Sequence, residues 1–348
     1  MRNLGRIESV VLLLSLFFVL TWGGASAKSK SDSASGILLR ISHQWPAGSI
    51  DKGDFRDRLC RIFAKKVEER SGGTMKFEIY PASVLFKPVV QYDALLKGAL
   101  DLCIFPLDYA SGKIPQLSIT LMPCIVSNHH QAICWKDYPI GTEIEKICEE
   151  NGMKILTWIW CGGGIASRVK SIKLPADIEG QKVRAAGKMF ETMLYQGAGA
   201  AITSMPSSEI YFALQTGLLD ACLTASSSFE SYRLYEQVQF YTSPRQTAIW
   251  YMLEPLVIST ARFKKLSPEH QKILIEVGKE MEKFALEEAV KDDIAVTELF
   301  KKKGVRVYDM TVDDFKAWLE VSKKTAWRKF AEKVKGGKKL LTMAMAVK

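Results

Sequence analysis

Two stretches of twelve residues decide how this chain folds. Residues 92–103 read Tyr-Asp-Ala-Leu-Leu-Lys-Gly-Ala-Leu-Asp-Leu-Cys, and residues 211–222 read Tyr-Phe-Ala-Leu-Gln-Thr-Gly-Leu-Leu-Asp-Ala-Cys. Seven of the twelve positions are identical at a constant offset of 119 residues. Each copy has the pattern of a helix closed by glycine, a tight turn at Leu-Asp and a short buried strand. The repeat predicts two α/β lobes built on one plan, with chance recurrence of a common helix–strand unit as the alternative.

The segment before the first copy alternates between strand and helix patterns. An apolar run predicts a strand over Ile37–Ser42, helical spacing of apolar residues predicts a helix over 54–70, and strict alternation predicts a strand over 75–80. Strand, helix and strand in this order are typical of an α/β fold. Two long amphipathic helices are predicted near the end of the chain, over 268–289 and 312–334.

The chain begins with the pattern of an export signal. Arg2 and Arg6 precede an apolar run over 10–22, and the small residues Ala25-Ser26-Ala27 follow. A basic start, a short apolar core and a small-x-small site are typical of a secretory signal peptide. The run is shorter than the roughly 20 residues of a membrane-spanning helix. The sequence therefore predicts a periplasmic protein that is cleaved after Ala27.

Composition and charge exclude several classes of protein. The chain has 348 residues, 47% of them hydrophobic and 25% charged, which is ordinary for globular proteins and favours two domains. The net charge of +10 is concentrated at the end, where residues 323–348 hold nine Lys or Arg and one Glu. A near-neutral body with a basic tail does not fit a DNA-reading fold, so no nucleic-acid partner is expected. We expect the tail to be a solvated helix that frays after Gly336-Gly337, with contact to anionic lipid or a membrane partner as the alternative.

No motif for catalysis is present. None of the four His residues has a motif-like nucleophile or carboxylate partner, and Gly162-Gly163-Gly164 lacks the spacing of a dinucleotide-binding loop. The seven Cys form no CxxC pair and no zinc-site spacing, and several lie within apolar runs, where Cys acts as a small buried hydrophobe. The sequence favours a monomeric protein that is not an enzyme and needs neither a cofactor nor a metal.

The two lobes should form a cleft lined by the segments that follow the repeats. In open α/β sheets, ligands bind beyond the carboxyl ends of the strands. The predicted rims are residues 105–108, with Pro106 and Asp108, and residues 224–228, with Thr224 and Ser226. Hydroxyl groups on the second rim can donate hydrogen bonds to an anionic or hydroxylated ligand.

Two later stretches resemble a known family. Residues 174–184 read Leu-Pro-Ala-Asp-Ile-Glu-Gly-Gln-Lys-Val-Arg, and residues 205–220 read Met-Pro-Ser-Ser-Glu-Ile-Tyr-Phe-Ala-Leu-Gln-Thr-Gly-Leu-Leu-Asp. These closely resemble the solute-binding proteins of tripartite ATP-independent periplasmic (TRAP) transporters, DctP type. Ser-Gly-Gly, Ile-Tyr-Pro and Leu-Met-Pro in the first half fit the same pattern, and the resemblance extends over about 38–334.

The resemblance implies a two-lobe periplasmic-binding-protein fold of the α/β class, with hinge strands and a long interlobe helix. The first lobe is expected to comprise 37–161 and about 250–290, and the second 162–249 and about 291–320. Residues 321–348 would form a C-terminal helix and the basic tail.

The resemblance also places the ligand site. The carboxylate-binding arginine of the family falls on Arg184, and an arginine at a strand end can present its planar fork to a carboxylate. At three other family contact positions this chain has Thr224 in place of a common Asn, Ser207 in place of an aromatic residue, and Gly164 in place of a second basic residue. The pocket is therefore predicted to hold one strong cation. The further candidate ligand residues are Tyr211, Pro106, Asp108, Ser226, Trp45 and Trp160.

By resemblance, the protein captures a small organic carboxylate and delivers it to TRAP membrane subunits by hinge closure. Because a second carboxylate would be buried without a matching charge, the favoured ligand is a 2-oxo or 2-hydroxy monocarboxylate. Lys87 and Arg168 are the alternative cations that could pair with a second carboxylate. The alternative functions are a ligand-binding sensor subunit and a periplasmic enzyme on the same two-lobe scaffold.

Overall fold

The computed structural model describes residues 36–348, and the predicted signal peptide lies outside them. Within this range twelve strands form two sheets. The strands are β1 (Ile37–Ser42), β2 (Met75–Tyr80), β3 (Leu102–Ile104), β4 (Met153–Thr157), β5 (Trp160–Ser167), β6 (Lys182–Ala185), β7 (Ala201–Ser204), β8 (Ala221–Ala225), β9 (Phe240–Ser243), β10 (Trp250–Leu253), β11 (Leu256–Ser259) and β12 (Arg306–Asp309).

The helices cover both sheets and the end of the chain. They are α1 (Phe55–Arg70), α2 (Gln91–Leu96), α3 (His129–Cys134), α4 (Pro139–Glu150), α5 (Lys188–Thr192), α6 (Ile210–Gln215), α7 (Ser226–Ser231), α8 (Thr260–Lys264), α9 (Pro268–Lys302), α10 (Val312–Ser322), α11 (Arg328–Lys333) and α12 (Gly337–Met345). Short 3-10 and π turns lie between them, including a 3-10 turn at Leu107–Ala110 and a π turn at Lys323–Trp327.

The two sheets define the two lobes. The first lobe contains the five-stranded sheet, in the order β2-β1-β3-β11-β4. The second contains the seven-stranded sheet, in the order β12-β9-β5-β8-β6-β7, with β10 paired to β5. The chain passes between the sheets at residues 158–159, at 254–255 and a third time through α9, so the two short links are the hinge segments.

The predicted boundaries of the lobes differ slightly from the strand pairing. The prediction grouped 160–161 and 250–253 with the first lobe, whereas their strands β5 and β10 hydrogen-bond in the seven-stranded sheet. The remaining boundaries stay a prediction.

The local predictions for the first three elements are confirmed. Strand β1 spans Ile37–Ser42, helix α1 begins after Asp54, and β2 spans Met75–Tyr80. The Asp54 side chain accepts a hydrogen bond from the Arg56 backbone N–H at 3.0 Å, which satisfies one of the unpaired donors at the start of the helix.

The repeat has a structural cause that is the same in both lobes. Asp101 accepts a hydrogen bond from the backbone N–H of Arg40 at 2.9 Å, and Asp220 accepts one from the backbone N–H of Lys182 at 2.9 Å. Each donor lies on the strand that pairs in parallel with the strand following the aspartate, β1 with β3 and β6 with β8. The aspartate therefore ties each repeat to its neighbouring strand.

Helix α9 joins the lobes and is longer than predicted. The predicted helix ends at residue 289, whereas α9 has 35 residues and ends at Lys302. It packs against α1 and β4 in the first lobe and against α7 and β5 in the second. At Gly278 the helix approaches β4 so closely that a Cβ would lie 2.3 Å from the Leu156 carbonyl oxygen.

The expectation of a frayed tail is wrong. Residues Gly337–Met345 form helix α12, which packs against α11 and α4. Its apolar face is buried: Leu340 and Leu341 are 3% and 5% exposed, and Ala344 is fully buried. Lys339 also pairs with Glu143 of α4 at 3.2 Å. The apolar face stabilises the helix, although its other side carries the lysines that suggested a solvated end.

The seven cysteines form no disulfide, and six of them are buried. The six buried residues are Cys60, Cys103, Cys124, Cys148, Cys161 and Cys222, and Cys134 is half-buried. Burial raises the pKa of each of the six buried thiols. Between residues 36 and 348 no helix combines the length and the apolar character needed to cross a membrane.

Candidate functional site

A cavity of about 630 Å³ lies between the lobes. The first lobe contributes the 3-10 turn after β3, with Asp108 and Tyr109, and the second contributes the segments after β6 and β7, with Gly187, Lys188 and Met205. The cavity therefore lies beyond the carboxyl ends of strands from both sheets, where α/β folds place ligands.

Arg184 is a buried cation beside this cavity. Its side chain is on β6, and the residue is 1% exposed. The guanidinium donates from Nε to the Met205 carbonyl at 3.0 Å and from Nη1 to the Leu223 carbonyl at 2.7 Å. It makes no ion pair with any carboxylate of residues 36–348. A buried charge without an ion-pair partner is costly, so this guanidinium is chemically suited to bind an anion.

The Tyr109 hydroxyl connects the two lobes at Arg184. It lies 3.4 Å from Nη2 of Arg184 and 3.4 Å from the backbone N–H of Ser207, and both of these groups donate to it. Of the five N–H donors of the guanidinium, three are then occupied, and two remain for a ligand. Ser207, a predicted site residue, is thus placed next to Arg184.

Asp108 is buried at the edge of the cavity without a hydrogen-bond partner. The residue is 2% exposed, and neither carboxyl oxygen has a partner among the described residues. Burial and, to a lesser extent, the negative charge of Glu191 raise its pKa and the positive charge of Arg184 lowers it, with a net pKa of about 7. Gly187 packs closely against this carboxyl group. A Cβ at position 187 would lie only 2.3 Å from the Asp108 Oδ2, so a side chain there would clash with it.

A second buried arginine is already neutralised. Arg56 donates to Asp54 at 2.7 Å and to Glu254 at 2.8 Å. Trp45, a predicted ligand residue, stacks on this guanidinium at 3.9 Å from its ring centroid. Arg56 also donates to the Ser228 hydroxyl of the second lobe at 3.1 Å. This group therefore holds the lobes together and offers no free positive charge.

Three predicted residues on β5, β8 and α7 are engaged within the protein. The Ser226 hydroxyl donates to Asp293 of α9, and Asp293 also contacts His129 Nε2 at 2.7 Å. Gly164 and Thr224 are paired in adjacent strands. A Cβ on Gly164 would lie 2.5 Å from the Thr242 carbonyl oxygen, so close packing of the sheet explains the glycine.

Three other predicted residues, Pro106, Trp160 and Tyr211, are not among the residues that line the cavity. Pro106 precedes the turn that carries Asp108. Trp160 packs edge-on against Trp135 with ring centroids 5.1 Å apart. The Tyr211 hydroxyl donates to Glu236 at 2.9 Å on an exposed face of the second lobe. The structure therefore brings together Arg184, Asp108 and Ser207, and it does not bring Tyr211 to them.

Three further aromatic residues and the two alternative cations, Lys87 and Arg168, have their own contacts. Trp158 donates to Glu145 at 3.1 Å, and Tyr251 packs edge-on against His129 at 5.3 Å. Trp250 packs over Gly163 of β5. Lys87 is exposed, and Arg168 donates to the Leu219 carbonyl at 3.5 Å.

The cavity side chains that sequence reasoning missed include Tyr109, Lys188 and Glu191. Tyr109 directly follows the predicted rim at 105–108, which was a usable signal. Lys188 and Glu191 lie on the short helix α5, whose five residues show no helical periodicity, and they pair with each other at 3.4 Å. Lys188 is a cation at the cavity, but 65% of its side chain is exposed.

The known proteins that resemble this chain are solute-binding proteins. The family model described as bacterial extracellular solute-binding protein, family 7, matches residues 41–333. A protein of Albidiferax ferrireducens named solute-binding protein is 46% identical over 325 residues, covering 92% of this chain and 96% of the relative. The 2,3-diketo-L-gulonate-binding periplasmic protein YiaO of Escherichia coli is 25% identical over 297 residues, covering 85% and 88% of the two chains.

One solved structure is similar to this chain in both fold and sequence. The TRAP periplasmic solute-binding protein of Rhodoferax ferrireducens, crystallised with bound malonate, superposes with a TM-score of 0.87 at 47% identity. The match covers 89% of this chain and 98% of the other. The two-lobe fold and the family expected from residues 174–184 and 205–220 are thereby confirmed. The chain belongs to bacterial extracellular solute-binding protein family 7, the DctP-type solute-binding proteins of TRAP transporters.

Proposed function

We propose that this protein is a periplasmic receptor whose ligand is a small 2-oxo or 2-hydroxy monocarboxylate, held by its carboxylate on Arg184. The observation that carries the proposal is the buried Arg184 guanidinium, which has two unoccupied N–H donors and no carboxylate partner among residues 36–348. A ligand carboxylate supplies both the missing charge and the missing acceptors.

The other cations near the cleft argue for one carboxylate rather than two. Arg56 is neutralised by Asp54 and Glu254, and Lys188 is exposed and paired with Glu191. A second ligand carboxylate would therefore meet only a solvated lysine. The ligand of the Escherichia coli relative carries one carboxylate with oxo groups at carbons 2 and 3, which supports this class. The malonate in the Rhodoferax ferrireducens protein makes malonate the strongest competitor.

The mechanism is closure of the two lobes over the ligand, followed by delivery to TRAP membrane subunits. Contacts from both lobes, such as the Tyr109 hydroxyl against Arg184, exist only when the lobes are together. A ligand that touches both lobes shifts the equilibrium toward this closed state. No chemical step is required of the protein.

Calorimetry on Arg184 variants tests the role of this residue. Arg184→Ala should lower affinity by about a hundredfold or more, because a buried charge-assisted contact is lost. Arg184→Lys should also bind weakly, since an ammonium group cannot reproduce the planar fork. Arg168→Ala, in the same lobe but outside the cavity, is the control and should bind like the wild type. Near wild-type affinity of Arg184→Ala would refute the assignment.

A ligand panel tests the proposed class. Thermal-shift screening should show 2-oxo or 2-hydroxy monocarboxylates binding at least about tenfold more tightly than malonate, succinate, malate or sialic acid, because the pocket holds one uncompensated cation. A dicarboxylate as the tightest ligand would contradict the proposal and would assign Lys188 to the second carboxylate. A sialic acid as the tightest ligand would contradict the proposal that the ligand is small.

A further inference from the structure

Asp108 is a buried carboxyl group to which the proposed function assigns no contact with the ligand. The inference drawn from it rests on that proposed function. It lines the interlobe cavity, is 2% exposed, and has no hydrogen-bond partner for either oxygen among the described residues. Buried polar groups in proteins are nearly always hydrogen-bonded. An unpartnered carboxyl at the wall of a binding cavity therefore marks a contact that the ligand completes.

The charges that face Asp108 determine in which form it makes that contact. Arg184 faces it from β6, and Lys188 and Glu191 lie on α5, while Tyr109 is its neighbour on its own turn. Arg184 is the cation that favours the ionised form, and Glu191 and burial favour the protonated form. A ligand carboxylate bound to Arg184 cancels this positive charge and adds a negative charge nearby. Ligand binding therefore shifts Asp108 toward its protonated form.

We propose that Asp108 meets the ligand as a neutral acid and donates a hydrogen bond to an oxygen atom beside the carboxylate held by Arg184. The group that accepts this bond is a 2-oxo oxygen or a 2-hydroxyl oxygen. A ligand with only hydrocarbon at that position leaves the acid unpaired and binds more weakly. Asp108 is thus a specificity-determining residue that recognises the substituent next to the carboxylate.

Ligand binding is then coupled to the uptake of a proton by Asp108. In the free receptor Asp108 is ionised to a greater extent than in the closed complex, so binding takes up as much as one proton from solvent, and release returns it. Because the bound state holds the proton more tightly than the free state, affinity falls as pH rises. The fall can reach about tenfold per pH unit for a single coupled proton.

The substitution Asp108→Asn separates the effect of the hydrogen bond on affinity from the effect of proton uptake. An amide has the shape of the neutral acid and donates an N–H without titrating. Affinity for 3-methyl-2-oxobutanoate should fall at least about tenfold between pH 6 and pH 8 in the wild type and change less than about twofold in Asp108→Asn. At pH 8 the variant should bind more tightly than the wild type. Asp108→Ala, which has no donor, should bind more weakly than Asp108→Asn at both pH values.

Two further measurements complete the test. Calorimetry at pH 7.5 in phosphate and in Tris, which differ in ionisation enthalpy, should show proton uptake by the wild type and none by Asp108→Asn. The matched probe 3-methylbutanoate, which lacks the 2-oxo oxygen, should bind the wild type at least about tenfold more weakly than the oxo acid. Circular dichroism confirms that each variant is folded.

The possible failures are distinguishable. Wild-type binding with pH-independent affinity and no proton uptake would overturn the role of Asp108 and leave the Arg184 site intact. Unchanged affinity in Arg184→Ala would overturn the proposed function itself. Failure of the wild type to bind either the oxo acid or malonate would overturn the proposed ligand class, and the inference about Asp108 with it.

Discussion

Gly163 in β5 lies where one added carbon atom would clash with two neighbouring groups. At Gly163 a Cβ would lie 2.1 Å from the Thr224 carbonyl oxygen and 2.5 Å from the Trp250 ring. The oxygen belongs to the paired strand β8 and cannot move without disrupting the sheet. Gly163→Ala should therefore lower the free energy of unfolding by about 3 kcal/mol, measured by urea denaturation.

Gly112 provides a matched control for that substitution. A Cβ there meets no heavy atom within 4 Å, and its backbone is not in the left-handed region. Gly112→Ala should change the free energy of unfolding by less than about 0.5 kcal/mol. Equal stability of the two variants would show that β8 adapts to a side chain at Gly163.

The Asp57 carboxylate makes the free energy of unfolding depend on pH in the acidic range. Its buried carboxylate contacts His43 Nε2 at 3.0 Å, and accepts hydrogen bonds from Arg61 Nε at 2.8 Å and from the Gly48 N–H at 2.9 Å. Burial raises its pKa, but the hydrogen bonds to His43 and Arg61 outweigh burial, so the net effect is a lowered pKa. The stabilisation is therefore complete above the unfolded value of about 4 and is lost as pH falls through the lower folded value.

Asp57→Asn should make this dependence visible. At pH 7 it should lower the free energy of unfolding by about 2 to 3 kcal/mol, because the buried His43 and the partly buried Arg61 lose a charged partner. Below pH 4 the gap from the wild type should narrow. The control is Asp51→Asn, at an exposed position in the neighbouring loop. A gap that is constant from pH 7 to pH 3 would contradict the assignment.

Among the elements, helix α12 gives a direct test of whether the tail is part of the fold. Leu341 is 5% exposed, whereas Met345 on the same helix is 52% exposed. Leu341→Ala should lower the free energy of unfolding by about 2 to 4 kcal/mol, and Met345→Ala by less than about 0.5 kcal/mol. Thermal unfolding of both variants checks this. Equal melting temperatures would indicate that α12 is detached in solution.

Elements whose signals are local could be predicted from the sequence. Strand β1, helix α1 and the two repeats follow from apolar spacing and from glycines that close helices, such as Gly98 and Gly217 with φ of +70° and +74°. The last part of α9, residues 290–302, could not be predicted. Its buried face includes Asp293 and Thr297, which are satisfied by Ser226 and Ser243 far away in the chain.

In the site, too, local sequence signals could be read, whereas contacts between distant residues could not. Arg184 could be predicted because a family motif surrounds it in the sequence. The Tyr109 contact to Arg184 joins residues 75 positions apart and depends on the two lobes meeting. Helix α12 was missed because Lys338 and Lys339 suggested solvent exposure, whereas the apolar residues that follow them determine its packing.

For the molecule as a whole, the contacts between lobes should set affinity as much as ligand contacts do. The Tyr232 hydroxyl donates to the Gln44 carbonyl of the first lobe at 3.0 Å, a bond that only the closed form can make. Tyr232→Phe should weaken ligand binding about fivefold, because losing about 1 kcal/mol from the closed state shifts the equilibrium toward the open state. Calorimetry measures the affinity, and small-angle scattering measures the closed fraction.

Tyr211→Phe is the control for this effect. Its hydroxyl bonds Glu236 within the second lobe, so its loss should leave closure and affinity unchanged. If Tyr211→Phe weakened binding as much as Tyr232→Phe, a general loss of stability would explain both results, and the interlobe bond would have no special role.

The buried cysteines have a practical consequence for observing closure. Thiol reagents attack the thiolate, and the six buried thiols are both shielded and held in their protonated form. Only the half-buried Cys134 would need replacement. A pair of cysteines introduced on the exposed residues Lys87 and Tyr195 could then carry fluorescent dyes, one on each lobe. Energy transfer between the dyes would follow opening and closing in single molecules while the native cysteines stay unlabelled.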